Sequence, residues 1–218
     1  MSLLAQALVG LFAAAVCASA ESHTLSLVVS TEVLQTGSVF EELKRETARL
    51  VSPADYSFAW LEKGRQAMGD SFEQVVVVQF RGACLSQGES GTPAGDTHSL
   101  ATTAVSDGQV LPFINVDCDR TRRLVSGVLA NLPGGARDVL FGRALGRVLA
   151  HELYHVLAQT TAHKDQGVSK PCFRLTDLIS TRFRFDPVSL AQMRPASQLS
   201  GPARAGDNNS TADDVAGR

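Results

Sequence analysis

The chain has 218 residues, of which 44% are hydrophobic and 19% are charged, and its formal net charge at pH 7 is −2. This length is enough for one domain with a substantial core, and the globular composition argues against repeat arrays and collagen-like fibres. The nearly neutral charge gives no electrostatic reason to expect nucleic acid as a partner.

The first twenty residues differ in composition from the rest of the chain. An uncharged apolar run at 3–16 is followed by Ala18-Ser19-Ala20, the small-x-small pattern of a signal-peptidase site. The run is shorter than the roughly 20 residues that a transmembrane helix needs. We therefore expect residues 1–20 to be a signal peptide, the mature domain to span 21–194, and the protein to be secreted or periplasmic, without membrane contact after cleavage.

Hydrophobic patterning predicts one domain in the order strand, helix, four strands and a long helix. The predicted strands are 24–31, 56–61, 72–80, 100–106 and 111–116, the predicted helices are 39–51 and 137 to about 158, and 82–97 is a predicted loop. Four consecutive valines at 75–78 are typical of a strand buried on both faces. The charged segment 117–123 is interpreted as solvated surface, and the polar segment 195–218 as a disordered tail.

The mature chain would contain three cysteines, Cys84, Cys118 and Cys172. In an oxidising compartment Cys84 and Cys118, which each follow an apolar strand-like segment, could form one disulfide and leave Cys172 free. Three unpaired buried thiols are an equal alternative. The absence of a Cys-x-x-Cys spacing argues against a structural zinc site built on cysteines.

The most informative segment is His151-Glu152-Leu153-Tyr154-His155, a His-Glu-x-x-His pattern on the predicted long helix. Residues four apart lie on one helix face, so His151 and His155 can bind one metal ion with Glu152 beside it. Such a pair suits a catalytic Zn²⁺ whose open position holds a water molecule of lowered pKa. Glu152 would accept a proton from this water as it attacks a carbonyl carbon, and would later deliver the proton to the leaving amine.

A catalytic zinc site needs a third protein ligand. No Glu follows the motif, which excludes a downstream Glu ligand, so His163 is the leading candidate, with Asp165 and Asp177 as alternatives. In an unbroken helix His163 would lie about 12 Å along the axis from His155, too far to share a metal. The helix must therefore end soon after His155, and Gln159-Thr160-Thr161 is a suitable place.

At these residues the chain resembles the metzincin clan of zinc metallopeptidases, whose consensus is His-Glu-x-x-His-x-x-Gly-x-x-His followed by a turn around a methionine. The motif residues match, and His163 would be the third ligand, two residues later than in the clan. Ala158 replaces the consensus glycine. The segment 167–173 resembles the turn, but Ser169 replaces its methionine.

The resemblance implies an α+β, zincin-like fold. In this fold a twisted mixed sheet of four or five strands packs on a surface helix and a long active-site helix, followed by a small irregular C-terminal subdomain. It also implies that an extended peptide or protein substrate binds along one strand of the sheet, 100–106 or 111–116.

These observations predict a secreted zinc-dependent metallopeptidase, an endopeptidase, with Zn²⁺ held by His151, His155 and His163 and with Glu152 as general base. Two alternatives remain open. Ala158 and Ser169 favour a non-catalytic zincin-like binding domain with a structural or absent metal. Hydrolysis of a non-peptide amide would use the same site and differ only in its substrate.

Overall fold

The computed structural model describes residues 23–30, 37–65, 72–88 and 99–195. The signal peptide expected at 1–20 and almost all of the tail expected at 195–218 lie outside the described residues. Within the described ranges, no helix combines the length and the apolar character needed to cross a membrane.

The described chain forms five strands and five α-helices. The strands are β1 (His23–Val29), β2 (Tyr56–Glu62), β3 (Gln74–Arg81), β4 (Ala101–Ser106) and β5 (Gln109–Asp117). The helices are α1 (Ser38–Val51), α2 (Cys118–Leu129), α3 (Gly134–Leu157), α4 (Leu175–Ile179) and α5 (Pro187–Met193), and a 3₁₀ turn, Ser52–Ala54, follows α1.

The strands form one mixed sheet in the order β2-β1-β3-β5-β4. The first four strands in this order are parallel, and β4 runs antiparallel to β5 at one edge. The predicted α+β architecture is confirmed. The sheet order also separates the two strands that were candidates for substrate binding. Among the described residues, β5 is paired on both sides, whereas β4 has one unpaired edge to which a peptide could add.

The core lies between the sheet and the helices α1 and α3. Leu25, Leu27 and Val29 alternate along β1 and are completely buried, as expected for a strand with one face against a helical layer. Phe40 of α1 meets Trp60 of β2 edge to face, with ring centroids 5.3 Å apart. This layer places α3, which carries the His-Glu-x-x-His motif, across the sheet near β4 and β5.

The valine strand is buried less completely than its sequence predicts. Val76 and Val78 are 0% and 2% exposed, whereas Val75 and Val77, which point to the opposite face, are half-buried. The prediction that this strand is buried on both faces is therefore wrong. The four valines instead belong to a central strand of the sheet, which pairs in parallel with β1 along one edge and with β5 along the other.

The charged segment 117–123 forms the start of α2, and its interpretation as solvated surface is wrong in part. Asp117 caps this helix by accepting a hydrogen bond from the N–H of Arg120 at 2.8 Å. The Arg122 side chain is 3% exposed and donates to the carbonyl of Ala83 at 3.1 Å. An arginine can be buried in this way because carbonyl groups of the neighbouring loop accept its N–H donors.

The cysteine alternatives are resolved by the disulfide between Cys84 and Cys118, whose Cα atoms lie 5.0 Å apart. Cys172 is free and exposed. The disulfide joins the loop after β3 to the first residue of α2.

Candidate metal centre

The motif lies in the last two turns of α3, and its three functional side chains are nearly buried. His151, Glu152 and His155 are 9%, 5% and 8% exposed. The two histidines lie four residues apart and face the same side of the helix, with their Nε2 atoms 3.2 Å apart.

The helix ends where the sequence requires it to end. Ala158 keeps a right-handed conformation, Gln159 has a positive φ of 47°, and the N–H of Thr160 donates to the carbonyl of His155 at 3.1 Å. This is a Schellman ending with glutamine in the left-handed position that glycine usually occupies. The bend thus falls one residue after Ala158, so a glycine at position 158 is not needed.

The bend brings His163 back to the motif. One ring nitrogen from each of His151, His155 and His163 forms a group whose members all lie within 4.8 Å of one another. Asp165 and Asp177, the alternative third ligands, do not belong to this group. The Asp177 carboxylate instead binds the Lys170 ammonium at 2.5 Å.

Backbone carbonyls orient the two helical imidazoles. Nδ1 of His151 lies 2.7 Å from the carbonyl oxygen of Val168, and Nδ1 of His155 lies 2.8 Å from that of Thr160. Because a carbonyl oxygen only accepts, both Nδ1 atoms must carry the proton, and a neutral ring then presents a lone pair at Nε2. This arrangement is the usual support of metal-binding histidines.

The distance between the two helical histidines fits a zinc ion. Two unprotonated Nε2 atoms facing each other at 3.2 Å repel unless a cation lies between them. Tetrahedral Zn²⁺ with Zn–N bonds of about 2.0–2.1 Å requires neighbouring nitrogens about 3.3 Å apart. The spacing of the His151 and His155 rings is therefore already that of a zinc site, with His163 on its exposed side.

Electrostatics keep the three imidazoles neutral. Burial lowers the pKa of His151 to about 4, with a smaller contribution from His155 and His163. Burial also lowers the pKa of His155 and of His163 below the ordinary histidine value. Neutral imidazole is the form that binds a metal, so the site needs no deprotonation at pH 7 before it does so.

Glu152 points from α3 towards the edge strand β4. The Thr103 hydroxyl donates to Oε2 of Glu152 at 2.6 Å and lies 3.3 Å from its backbone carbonyl oxygen. Burial raises the pKa of Glu152 to about 7, although hydrogen bonds from Thr103 act in the opposite direction. A carboxyl group with a pKa near neutrality is suited to both accepting and donating a proton.

The segment that resembles the methionine turn lies directly beneath His151. Gly167 has a φ of 72°, and a Cβ at this position would lie 2.7 Å from the carbonyl oxygen of Arg184, so glycine is required here. Val168 supplies the carbonyl that holds His151, and Ser169 is completely buried. The Phe173 ring meets the His151 ring edge to face, with centroids 5.3 Å apart.

Sequence reasoning brought together the three histidines and Glu152 but missed the residues that support them. These are Thr103, the carbonyls of Thr160 and Val168, and the hydrogen-bond partners of Ser169, which are Ser189 and Asp186. The sequence carries no local signal for these contacts, because they depend on segments that meet only in the fold.

The chain matches no family model and no curated protein. It is similar in structure to a solved zinc-dependent peptidase from Methanocorpusculum labreanum, with 12% sequence identity and a TM-score of 0.49, over 78% of this chain and 100% of that chain. Similarity at this level supports no conclusion about the function of the present chain.

Proposed function

We propose that this protein is a zinc-dependent metallopeptidase with a divergent metzincin-like site. His151, His155 and His163 hold Zn²⁺, and Glu152 is the general base. The observation that carries the proposal is the geometry of the two helical histidines. Their Nε2 atoms lie 3.2 Å apart, and a backbone carbonyl accepts from Nδ1 of each ring. A third imidazole, that of His163, lies beside them.

The residues of this chain suit the hydrolysis of an amide bond. When bound, Zn²⁺ would supply Lewis acidity and lower the pKa of a water molecule. Glu152, held on one carboxylate oxygen by Thr103, accepts the proton of the attacking water and delivers it to the leaving amine. An extended peptide would add through main-chain hydrogen bonds to the edge of β4 that no described strand pairs with, beside Thr103 and Glu152.

Ala158 and Ser169, the two departures from the metzincin consensus that favoured a non-catalytic domain, are each compensated by neighbouring residues. Gln159 supplies the bend that the consensus glycine would supply, and Ser169 fills its buried position with hydrogen bonds to the last helix. Neither departure therefore weighs against catalysis. Hydrolysis of a non-peptide amide is separated from peptidase activity by the substrate alone.

The test is Glu152→Gln, which keeps the shape of the side chain but removes its basicity. Because Glu152 is not a ligand, we expect the variant to keep its zinc while hydrolysis of a broad peptide library falls by at least about 10²-fold. Glu41→Gln on the exposed face of α1 is the matched control and should retain full activity. Full activity of Glu152→Gln, or a zinc-loaded wild-type protein that cleaves no peptide, would contradict the proposal.

We also propose that the protein is exported and cleaved before Glu21. The Cys84–Cys118 disulfide supports export, because such bonds persist in oxidising compartments. N-terminal sequencing of protein recovered from the periplasm or the medium should begin at Glu21. A disulfide-bonded protein retained in the cytoplasm with an intact N-terminus would contradict this proposal.

A further inference from the structure

The turn beneath the proposed zinc site contacts one of its three ligands and the residue next to a second. The Val168 carbonyl accepts from Nδ1 of His151 at 2.7 Å. The Ser169 carbonyl accepts from the N–H of Lys164, the residue next to His163, at 2.9 Å. A shift of this turn would therefore displace His151, a ligand on α3, and His163, the ligand that follows the bend.

The side chain of Ser169 ties this turn to the last helix. Its Oγ lies 2.8 Å from Oγ of Ser189 in α5 and donates to Oδ2 of Asp186 at 3.3 Å. Ser189 donates to the same Asp186 oxygen at 2.5 Å. We call Ser169, Ser189 and Asp186 the Ser–Ser–Asp network.

The two serines of the network are buried, the aspartate is half-buried, and the geometry is defined. Ser169 and Ser189 are both completely buried. The second oxygen of Asp186 caps α5 by accepting from the N–H groups of Val188 and Ser189 at 2.9 and 3.0 Å, which fixes the carboxylate. Hydrogen bonds to a carboxylate are stronger than those between neutral groups, and leaving a buried hydroxyl without a partner is costly.

The turn is also held by packing of the completely buried Val168 side chain and by a main-chain hydrogen bond to the C-terminal segment. Its main-chain contact with the C-terminal segment is the hydrogen bond from the N–H of Val168 to the carbonyl of Arg184, at 3.2 Å. An apolar side chain at position 169 would pack against its surroundings but would give no directional link to α5. The hydroxyl of Ser169 supplies that link.

We propose that the Ser–Ser–Asp network positions the zinc ligands His151 and His163 through the turn 167–169, so that the C-terminal helix α5 is an integral part of the metal centre. This inference rests on the proposed zinc site. The members of the Ser–Ser–Asp network would touch neither the metal nor the substrate, so they are positioning residues.

The experiment measures the zinc affinity of the full-length mature protein by titrating the zinc-loaded form with a chelator of known affinity. We expect Ser169→Ala to weaken zinc binding about 10- to 100-fold, the range usual for partners of metal ligands. Ser189→Ala should have a similar effect. The double variant should be little weaker than either single variant, because both substitutions break the same link.

A matched control removes a buried hydroxyl elsewhere. Thr121 is completely buried in α2, and its hydroxyl donates to the carbonyl of Asp117 at 2.9 Å. Thr121→Val should lower stability without changing zinc affinity, which separates a positioning role from general destabilisation. Circular dichroism of each zinc-loaded variant checks folding, and Ser189→Ala carries the test if Ser169→Ala does not fold.

The outcomes separate this inference from the proposed function. Wild-type zinc affinity in both Ser169→Ala and Ser189→Ala would overturn the positioning role and leave the zinc site intact. An equal loss of affinity in Thr121→Val would also overturn it. A wild-type protein that binds no zinc would overturn the proposed function, and this inference with it.

Discussion

At the scale of single residues, Thr103 connects the edge strand to the proposed general base. Its hydroxyl holds Oε2 of Glu152 at 2.6 Å, which leaves the other carboxylate oxygen to receive a proton. Between the pairs Thr103–Ile114 and Val105–Val110, β4 contributes one residue and β5 three, so the ladder is irregular next to this contact. Such irregularities often redirect a side chain.

The change Thr103→Val removes the hydroxyl but preserves the branched shape of the side chain. We expect kcat for peptide hydrolysis to fall about tenfold or more, because the Glu152 carboxylate loses the donor that orients it. The zinc content should not change. Steady-state kinetics with one peptide substrate provide the measurement.

The conservative variant Thr103→Ser retains the hydroxyl and should restore most of the wild-type kcat. A wild-type kcat in Thr103→Val, or equal losses in both variants, would show that the hydroxyl does not position Glu152.

The four proposed site residues could be selected from the sequence for simple reasons of spacing and composition. His151 and His155 share a helix face by their spacing, and the absence of a Glu after the motif left His163 as the leading third ligand. The supporting contacts were not predictable. Thr103 is 49 residues from Glu152 and Val168 is 17 from His151, and no periodicity relates such positions.

At the scale of secondary structure, α1 and α3 pack closely through two glycines of α3. A Cβ on Gly146 would lie 2.8 Å from the carbonyl oxygen of Leu43, and one on Gly142 would overlap the carbonyl of Val39. Sequence analysis predicted both helices from their apolar periodicity but not this crossing, because a glycine within a helical pattern does not reveal what it packs against. The crossing holds α3 close against α1 in the helical layer that covers the sheet.

The change Gly146→Ala should lower the free energy of unfolding by about 1–3 kcal/mol, since the opposing group is backbone and cannot move away. Gly127→Ala in α2 is the matched control, because a Cβ there would meet nothing within 4 Å. The control should raise stability by about 0.5–1 kcal/mol through helix propensity. Urea unfolding measures both, and a Gly146→Ala protein as stable as Gly127→Ala would refute the close crossing.

At the scale of the whole molecule, a partly buried ion-pair network joins α1 and α3 to the C-terminal segment. Arg147, which is 1% exposed, pairs with Glu46 at 2.7 Å and donates to the carbonyl of Asp177 at 2.6 Å. Arg49 pairs with the same Glu46 at 2.7 Å and donates to the carbonyl of Phe183 at 2.9 Å. The sequence could not reveal this network, since Glu46 and Arg147 are 101 residues apart and each occurs in a charged surface pattern.

The network predicts a dependence of stability on pH. Burial raises the pKa of Glu46, but hydrogen bonds from Arg49 and Arg147 outweigh it and leave that pKa below its ordinary value of 4.5. The stabilisation is therefore fully present above pH 4.5 and is lost as the pH falls through the lower pKa of the folded state.

We expect Glu46→Gln to destabilise the protein by about 3–5 kcal/mol at pH 7, because Arg147 loses its buried partner. The difference from wild type should shrink as the pH falls below 4.5. Glu41→Gln, which breaks an exposed pair with Lys44, should differ from wild type by less than about 1 kcal/mol at every pH. A difference between Glu46→Gln and wild type that is independent of pH would contradict this account of Glu46.

The most direct test of the proposed zinc site is the zinc content per chain of the purified mature protein, compared between wild type, His163→Ala and Asp165→Ala. We expect about one zinc per chain in the wild type and in Asp165→Ala, and a lost or greatly weakened zinc in His163→Ala. Absence of zinc from wild-type protein produced with zinc supplied would contradict the proposed zinc site. Undiminished zinc binding by His163→Ala would do so as well.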